Sequence, residues 1–99
     1  MYMRQLFGEL RRHERRKFRG AVAISWINAR GTRVRVLGNC LDLSDYGMLV
    51  EVPEPIPTET EVLVQVSGFA TPKAATVRHW HPCAGWFRIG LESREPLQT

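Results

Sequence analysis

The fold is decided by residues 20–26, which read GAVAISW. Val22, Ile24 and Trp26 alternate with small residues, and this period of two is typical of a β-strand with one buried face. Five further segments continue the pattern, with boundaries near 32–43, 48–52, 61–66, 71–81 and 86–91. Turn-forming residues separate them at intervals of about 8 to 12 residues. The sequence therefore predicts an all-β domain of six short strands, either a small antiparallel barrel or a sandwich.

Length and composition are those of one small globular domain. The chain has 99 residues, of which 43% are hydrophobic and 24% are charged. No apolar run approaches the roughly 20 residues that a membrane helix needs, and the first residues are basic rather than apolar. We therefore expect a cytoplasmic protein. The two cysteines, Cys40 and Cys83, are too few for a disulfide scaffold and are expected to act as small apolar residues.

The positive charge is concentrated at the start of the chain. Residues 1–19 hold seven of the 14 basic residues and two of the ten acidic ones, which gives a net charge of +5. Residues 20–99 carry −1, so the body of the domain is nearly neutral. Five of the last six basic residues in this arm are arginines, whose planar guanidinium groups match phosphate oxygens and the edge of guanine. A localised basic arm indicates an anionic partner, such as nucleic acid or a phosphorylated ligand.

The chain is expected to divide into three parts. Residues 1–14 form an arm or a short helix, which would be too short to be stable alone. The β-domain is expected over 15–93, and a flexible C-terminus over 94–99. Within the second predicted strand, Gly38 and Asn39 indicate a bulge.

A short polar motif ends the second predicted strand. Residues 42–47 read DLSDYG, and Asp42 and Ser44 lie two apart, so they share a face on a strand. A carboxylate can accept the N1 and N2 hydrogens of guanine, and a serine hydroxyl can serve either kind of partner. Gly47 permits either a positive φ or the close approach of a ligand. With arginines nearby, these groups can surround a guanine nucleotide, although turn formation is the commonest use of such residues.

Two motifs, taken in order, resemble the signature of the PilZ domain family, the bacterial receptors for cyclic di-GMP. That signature is R-x-x-x-R followed by [DN]-x-S-x-x-G. Here the first part reads RRKFR at 15–19, and the second reads DLSDYG at 42–47. The segments GMLV at 47–50 and FRIGLE at 87–92 are also similar to strands of the family. The resemblance covers about residues 11–93, and both motifs together are far more specific than either alone.

The resemblance implies a six-stranded antiparallel PilZ-type barrel that binds cyclic di-GMP and needs neither a cofactor nor a metal. The arginines would bind guanine edges and phosphates from a loop that closes over the ligand like a switch. The aspartate and the serine would bind guanine from the barrel surface, and the glycine would shape the turn. Ordering of the arm would relay the signal to an unidentified protein partner. The residues expected at the ligand are Arg15, Arg16, Arg19, Asp42, Ser44 and Gly47.

The register of the arginine motif is ambiguous. Arg11/Arg15 and Arg12/Arg16 have the same four-residue spacing as the pair Arg15/Arg19. The last pair is preferred, because the loop must pass directly into the first predicted strand. Arg11 and Arg12 are therefore accessory candidates, which add charge or hold a second ligand molecule.

The fifth predicted strand carries two further candidate features. Trp80 belongs to the barrel core or rim, or it stacks on a guanine face, which is worth roughly 1–3 kcal/mol. His79, His81 and Cys83 alternate in the manner of metal ligands. We prefer ordinary strand and turn roles for these three residues, because Pro82 interrupts the pleat and no fourth ligand is evident.

Two other functions fit parts of the sequence. The chain can be an adaptor of the same fold that acts through protein contacts without a nucleotide. It can also be a small barrel that binds RNA or DNA through its basic arm with a steep salt dependence. An enzyme is not expected, because no nucleophile–base pair or carboxylate pair has support from spacing. Titration with cyclic di-GMP against GMP and GTP separates these hypotheses.

Overall fold

Six β-strands form the part of the chain that the structure describes. A computed structural model describes residues 16–97, with side chains from Arg19 onwards. The strands are β1 (Arg16–Ile27), β2 (Arg33–Leu43), β3 (Gly47–Val52), β4 (Glu61–Val66), β5 (Lys73–Cys83) and β6 (Trp86–Glu92). Within 16–97, no helix is long and apolar enough to cross a membrane. The arm or short helix predicted for 1–14 lies outside the described residues.

The strands close into a barrel in the order β1-β2-β3-β6-β5-β4, and β4 returns to pair with β1. All six pairings are antiparallel. Closure of the sheet is one way of removing the exposed edges that promote strand-to-strand aggregation. The predicted six-stranded antiparallel barrel is therefore confirmed, and the sandwich alternative is wrong.

The core is built mainly from the inward-facing residues of the strands, with Ile56 and Leu97 added from outside them. In β1, Val22, Ile24 and Trp26 are buried, as their alternation predicts. Valine and isoleucine predominate because branched side chains pack well on a pleated surface. Burial of each large apolar side chain contributes about 1.5–3 kcal/mol. The largest fully buried side chains are Ile24, Val50, Val52, Ile56, Val64, Val66, Val77, Ile89 and Leu97.

Strand β1 begins earlier than the alternation predicts, at Arg16 rather than Gly20. Arg16 pairs with Leu43 and Lys17 pairs with Asp42. A register shift separates these two pairs from the regular pairing that starts at Gly20. The end of the basic arm is therefore strand backbone in this structure, because β2 is long enough to supply its hydrogen-bond partners.

The bulge predicted at Gly38 and Asn39 is not found there, since both residues pair in regular register with β1. Gly38 instead allows a close approach, because a β-carbon at this position would collide with the backbone oxygen of Glu51. The irregularity in β2 lies between Cys40 and Asp42, where the strand pairs with β3. An extra residue at such a point bends the strand and redirects a side chain.

The C-terminal segment, predicted as a flexible end over 94–99, contributes one buried residue to the core. Leu97 is only 1% exposed and belongs to the core. Its backbone N–H donates to the oxygen of Asp45 at 2.6 Å, and the Ser93 N–H donates to the oxygen of Tyr46 at 2.8 Å. The polar residues around Leu97 concealed this anchor, because a single apolar residue has no periodicity. Residues 98–99 lie outside the described range.

Candidate functional site

The polar motif DLSDYG forms the end of β2 and the tight turn into β3. The Ser44 backbone N–H donates to the oxygen of Gly47 at 2.9 Å. The Gly47 N–H donates to Ser44 Oγ at 3.0 Å, and this hydroxyl lies 3.3 Å from the oxygen of Gly47. Ser44 is 9% exposed, so its side chain closes the turn from within. The turn-forming interpretation of Ser44 is therefore observed directly.

Gly47 serves the turn through its lack of a side chain and not through its dihedral angle. Its φ is not positive, and among the described residues the glycines with a positive φ are Gly31, Gly68 and Gly85. A β-carbon at Gly47 would lie 3.1 Å from Ser44 Oγ, closer than most real contacts of this kind. Of the two roles predicted for Gly47, a turn that requires a positive φ is wrong. The close approach at Gly47 is made by the Ser44 hydroxyl.

Asp42 lies on the outer face of the barrel. It is half-buried and pairs with Leu49 of β3. Leu49 is flanked by Met48 and Val50, which are both buried in the core, so Leu49 faces outwards. Paired residues on neighbouring strands share a face, so Asp42 is outward-facing as well.

The basic segment lies on the strand next to the motif. Lys17 is directly opposite Asp42, and Arg16 is opposite Leu43. Arg19 follows within the irregular stretch of β1 and is exposed to solvent. Neighbouring strands are about 4.8 Å apart, so the backbone of the basic segment passes within one strand spacing of Asp42. A guanidinium group and a carboxylate can therefore act on one ligand at this position.

Some of the predicted ligand-binding residues lie beyond what the structure describes. Arg15, Arg11 and Arg12 precede the first described residue. Arg16 is described by its backbone alone. Of the six residues expected at the ligand, the structure gives side chains for Arg19 and for the three motif residues, Asp42, Ser44 and Gly47.

The outer face next to Asp42 continues across three more strands. Leu49 pairs with Gly90 of β6, and Gly90 pairs with His79 of β5. The imidazole of His79 occupies the space that a β-carbon at Gly90 would fill. We call Asp42, Leu49, Gly90 and His79 the outer row. The sequence did not predict it, because the pairing of β3 with β6 and the irregularities in β2 and β5 decide which residues meet.

Trp80 does not belong to the outer row. It pairs with Ile89, which is fully buried, so Trp80 occupies a core-side position in the ladder. Its ring packs edge-on against Phe87, with ring centroids 5.5 Å apart. Trp80 is 38% exposed, as expected at the barrel rim. The structure therefore does not bring Trp80 together with Asp42.

The two cysteines differ in environment. Cys40 is fully buried beneath the motif, as predicted, and Cys83 is half-buried in the β5–β6 hairpin. Desolvation raises the pKa of the Cys40 thiol to about 11, with a further contribution from the negative charge of Asp42. The Cys40 thiol lies 3.4 Å from the backbone oxygen of Asp42 and can donate to it. Cys40 therefore behaves as an apolar residue with one weak hydrogen bond.

A second polar surface lies at β5 and was not predicted. Arg78 donates to Glu92 at 2.7 Å and to Glu59 at 3.0 Å. Hydrogen bonds to Glu92 and then Glu59 raise the pKa of the arginine. A groove of about 490 Å³ adjoins these residues, with Glu61 and Arg94 in its wall. Opposite charges are already paired at this surface.

No metal centre is formed by residues 16–97, which contain no group of three suitable His, Cys, Asp or Glu side chains. His79 and His81 occupy outward positions on β5 and are exposed.

Neither a protein-family model nor a curated protein matches this chain.

Proposed function

We propose that this protein is a non-catalytic receptor for cyclic di-GMP of the PilZ type. The observation that carries the proposal is the juxtaposition of two sequence motifs across one strand pair. Residues 16–19 of the arginine motif lie at the start of β1, and Lys17 pairs with Asp42 of β2. These motifs are more than 20 residues apart in sequence, and a closed barrel of six antiparallel strands brings them together.

The chemistry of a guanine nucleotide fits this pair of strands. The Asp42 carboxylate accepts hydrogen bonds from N1 and N2 of the base, where guanine is a donor. Guanidinium groups of the basic segment, including Arg19, take O6 and N7 in a bidentate manner or bind phosphate oxygens. Ser44 and Gly47 hold the turn that fixes the end of β2, so their contribution to ligand binding includes the position of Asp42.

The available contacts are sufficient for useful affinity. A dissociation constant of 1 µM corresponds to about 8 kcal/mol. Each bidentate contact contributes roughly 1–3 kcal/mol, so a few such contacts and a stacked base reach this value. Binding would order the arginines that precede β1 over the outer face of the barrel. The rearranged surface then contacts a protein partner in trans.

Isothermal titration calorimetry with cyclic di-GMP tests the proposal. We expect micromolar binding to the wild-type protein, and much weaker binding of GMP and GTP. Arg15→Ala and Arg19→Ala should each remove most of the affinity, and Asp42→Ala should weaken it by a comparable step. Arg33→Ala is the matched control, because Arg33 is an exposed arginine at the other end of β2.

Two results would contradict the receptor proposal. Wild-type affinity in both arginine variants would separate binding from the motif. No cyclic di-GMP binding by the wild-type protein would favour an adaptor that acts through protein contacts alone.

The net charge of +5 in residues 1–19 favours nucleic-acid binding as a second candidate. This function predicts binding to random oligonucleotides with an affinity that falls steeply between 50 and 200 mM salt. Fluorescence anisotropy with labelled oligonucleotides measures this directly. A nucleotide receptor should instead discriminate cyclic di-GMP from linear competitors.

A further inference from the structure

The outer row provides a ligand surface that extends well beyond the two motifs. From Asp42 it passes over Leu49 to Gly90, and it ends at the imidazole of His79. Because the strands are about 4.8 Å apart, the ring above Gly90 lies roughly 10 Å from the backbone of Asp42. A purine nucleoside spans a comparable length. A base held at Asp42 therefore reaches towards His79.

Gly90 explains why an aromatic ring can lie against the sheet at this position. Any β-carbon at Gly90 would overlap the His79 ring, so glycine leaves a depression that the imidazole fills. Gly90 itself is buried by this cover, whereas His79 is exposed. Part of the ring therefore contacts the sheet at Gly90, and the rest of the His79 side chain is accessible to a ligand. An accessible aromatic ring on the same outer face as Asp42 can serve as a platform for a stacked nucleobase.

We propose that His79 is a base-stacking residue of the cyclic di-GMP site, an inference that rests on the proposed function. His79 packs against a purine whose edge is held by Asp42, and Leu49 forms the floor between them. Stacking does not distinguish one purine from another, so Asp42 supplies the selectivity for guanine and His79 supplies affinity.

Trp80 is the competing candidate for this role. It is the larger aromatic residue, and stacking on it would be stronger in principle. However, Trp80 pairs with the buried Ile89 and packs against Phe87, which puts it on the opposite side of the strand from the outer row. The irregularity between Val77 and His79 decides which of the two rings faces outwards. In a regular strand, Trp80 would face outwards and His79 would face the core.

The test is calorimetric titration of cyclic di-GMP at pH 7.5 into the wild-type protein and four variants, His79→Ala, His79→Phe, His81→Ala and Trp80→Phe. We expect His79→Ala to lower the affinity about five- to one hundredfold, which is the range for loss of one stacked base. His79→Phe should stay within about threefold of wild type, because it retains a flat ring. His81→Ala is the matched control, an exposed histidine on the same strand and face but farther along the barrel.

A spectroscopic readout distinguishes stacking from a structural role of the side chain. Ring-proton resonances of His79 should move upfield when the ligand binds, because a stacked purine shields them, and those of His81 should not move. The imidazole resonances that disappear in the His79→Phe variant are those of His79. Circular dichroism of His79→Ala checks that the barrel is intact.

Each result supports or overturns the inference. Affinity of His79→Ala within twofold of wild type, with no ring-proton shift, overturns it and leaves the receptor proposal intact. If the wild-type protein does not bind cyclic di-GMP, both proposals fail together. A loss of affinity in Trp80→Phe that exceeds the loss in His79→Ala would transfer the stacking role to Trp80.

Discussion

The pairing of β1 with β2 has a regular half and an irregular half, and the two differ in what determines them. In the regular half, residues 20–27 pair one-to-one with 33–40, and apolar residues alternate faithfully into the core. In the irregular half, Arg16 and Lys17 pair with Leu43 and Asp42, and both strands carry a register shift nearby. Burial in the core determines the strand pairing of the regular half. The turn into β3 and the C-terminal segment hold the irregular half in place.

This difference shows how a small barrel can direct a polar side chain outwards without weakening its core. A register shift moves an entire set of side chains to the other face if it lies within a strand pair that buries one side. Here the shifts come after the last inward residues of the regular half. Asp42 is thereby directed outwards while Cys40 and Leu43 both remain buried.

The largest effect is expected in the regular half, from Ile24→Ala. Ile24 is fully buried at the centre of β1, so the substitution should lower the free energy of unfolding by about 4 kcal/mol. Urea denaturation followed by circular dichroism measures this loss. Leu37→Ala is the control, because Leu37 is 60% exposed on the neighbouring strand and should change stability by less than about 0.5 kcal/mol. Similar losses in both variants would contradict the assignment of the two faces.

Leu97→Ala tests whether the C-terminal segment supports the irregular half. Leu97 is buried and its backbone is bonded to Asp45 in the motif turn. We expect a loss of about 2–3 kcal/mol, less than for Ile24, because Leu97 lies outside the strands and its segment can relax into the cavity. Arg94→Ala, an exposed position in the same segment, should have little effect. Equal stability of Leu97→Ala and the wild-type protein would contradict the assignment of Leu97 to the core.

The regular half was largely predictable from sequence, because alternation at Val22, Ile24 and Trp26 reports directly on burial. The irregular half was predictable only in part. The motif residues could be recognised by their types and spacing, but the strand pairing of Arg16 and Lys17 depends on how far β2 extends.

The outer row was beyond prediction for a related reason. Its members come from four strands, and their meeting requires the β3–β6 pairing and two register shifts that no local pattern encodes. Trp80, considered as a core or rim residue or as a stacking residue, lies outside the outer row, whereas His79 lies within it. Leu97 was missed because one apolar residue in a polar tail has no period to detect.

Cys40 lies where the two halves meet, and its titration gives a pH test. Its pKa is raised from 9.0 to about 11, so the folded protein keeps the proton in a range where the unfolded chain loses it. The stabilisation is complete below pH 9 and is lost as pH rises from 9 to 11. We expect a loss of about 1–2 kcal/mol after allowance for solvent screening. Cys40→Ala should remove this component of the stability profile, and Cys83→Ala should retain it.

A chemical measurement complements the pH profile. Ellman's reagent at pH 8 should modify Cys83 in the native protein and reach Cys40 only after unfolding, because Cys40 is fully buried. Rapid labelling of Cys40 in the native protein would contradict its place in the core.

The smallest of these effects on stability is expected for Ser44→Ala, in the turn that ends the irregular half. The substitution removes the acceptor for the Gly47 N–H and should cost about 1 kcal/mol. Ser67→Ala, at an exposed serine in the turn after β4, is the matched control and should be nearly neutral.

Titration calorimetry with cyclic di-GMP on the same proteins then separates two roles of Ser44. If its hydroxyl acts by holding the turn, cyclic di-GMP affinity should fall only modestly, in step with stability. A loss of more than tenfold in affinity at unchanged stability would instead show that the hydroxyl contacts the ligand, and that the turn rearranges when the ligand binds.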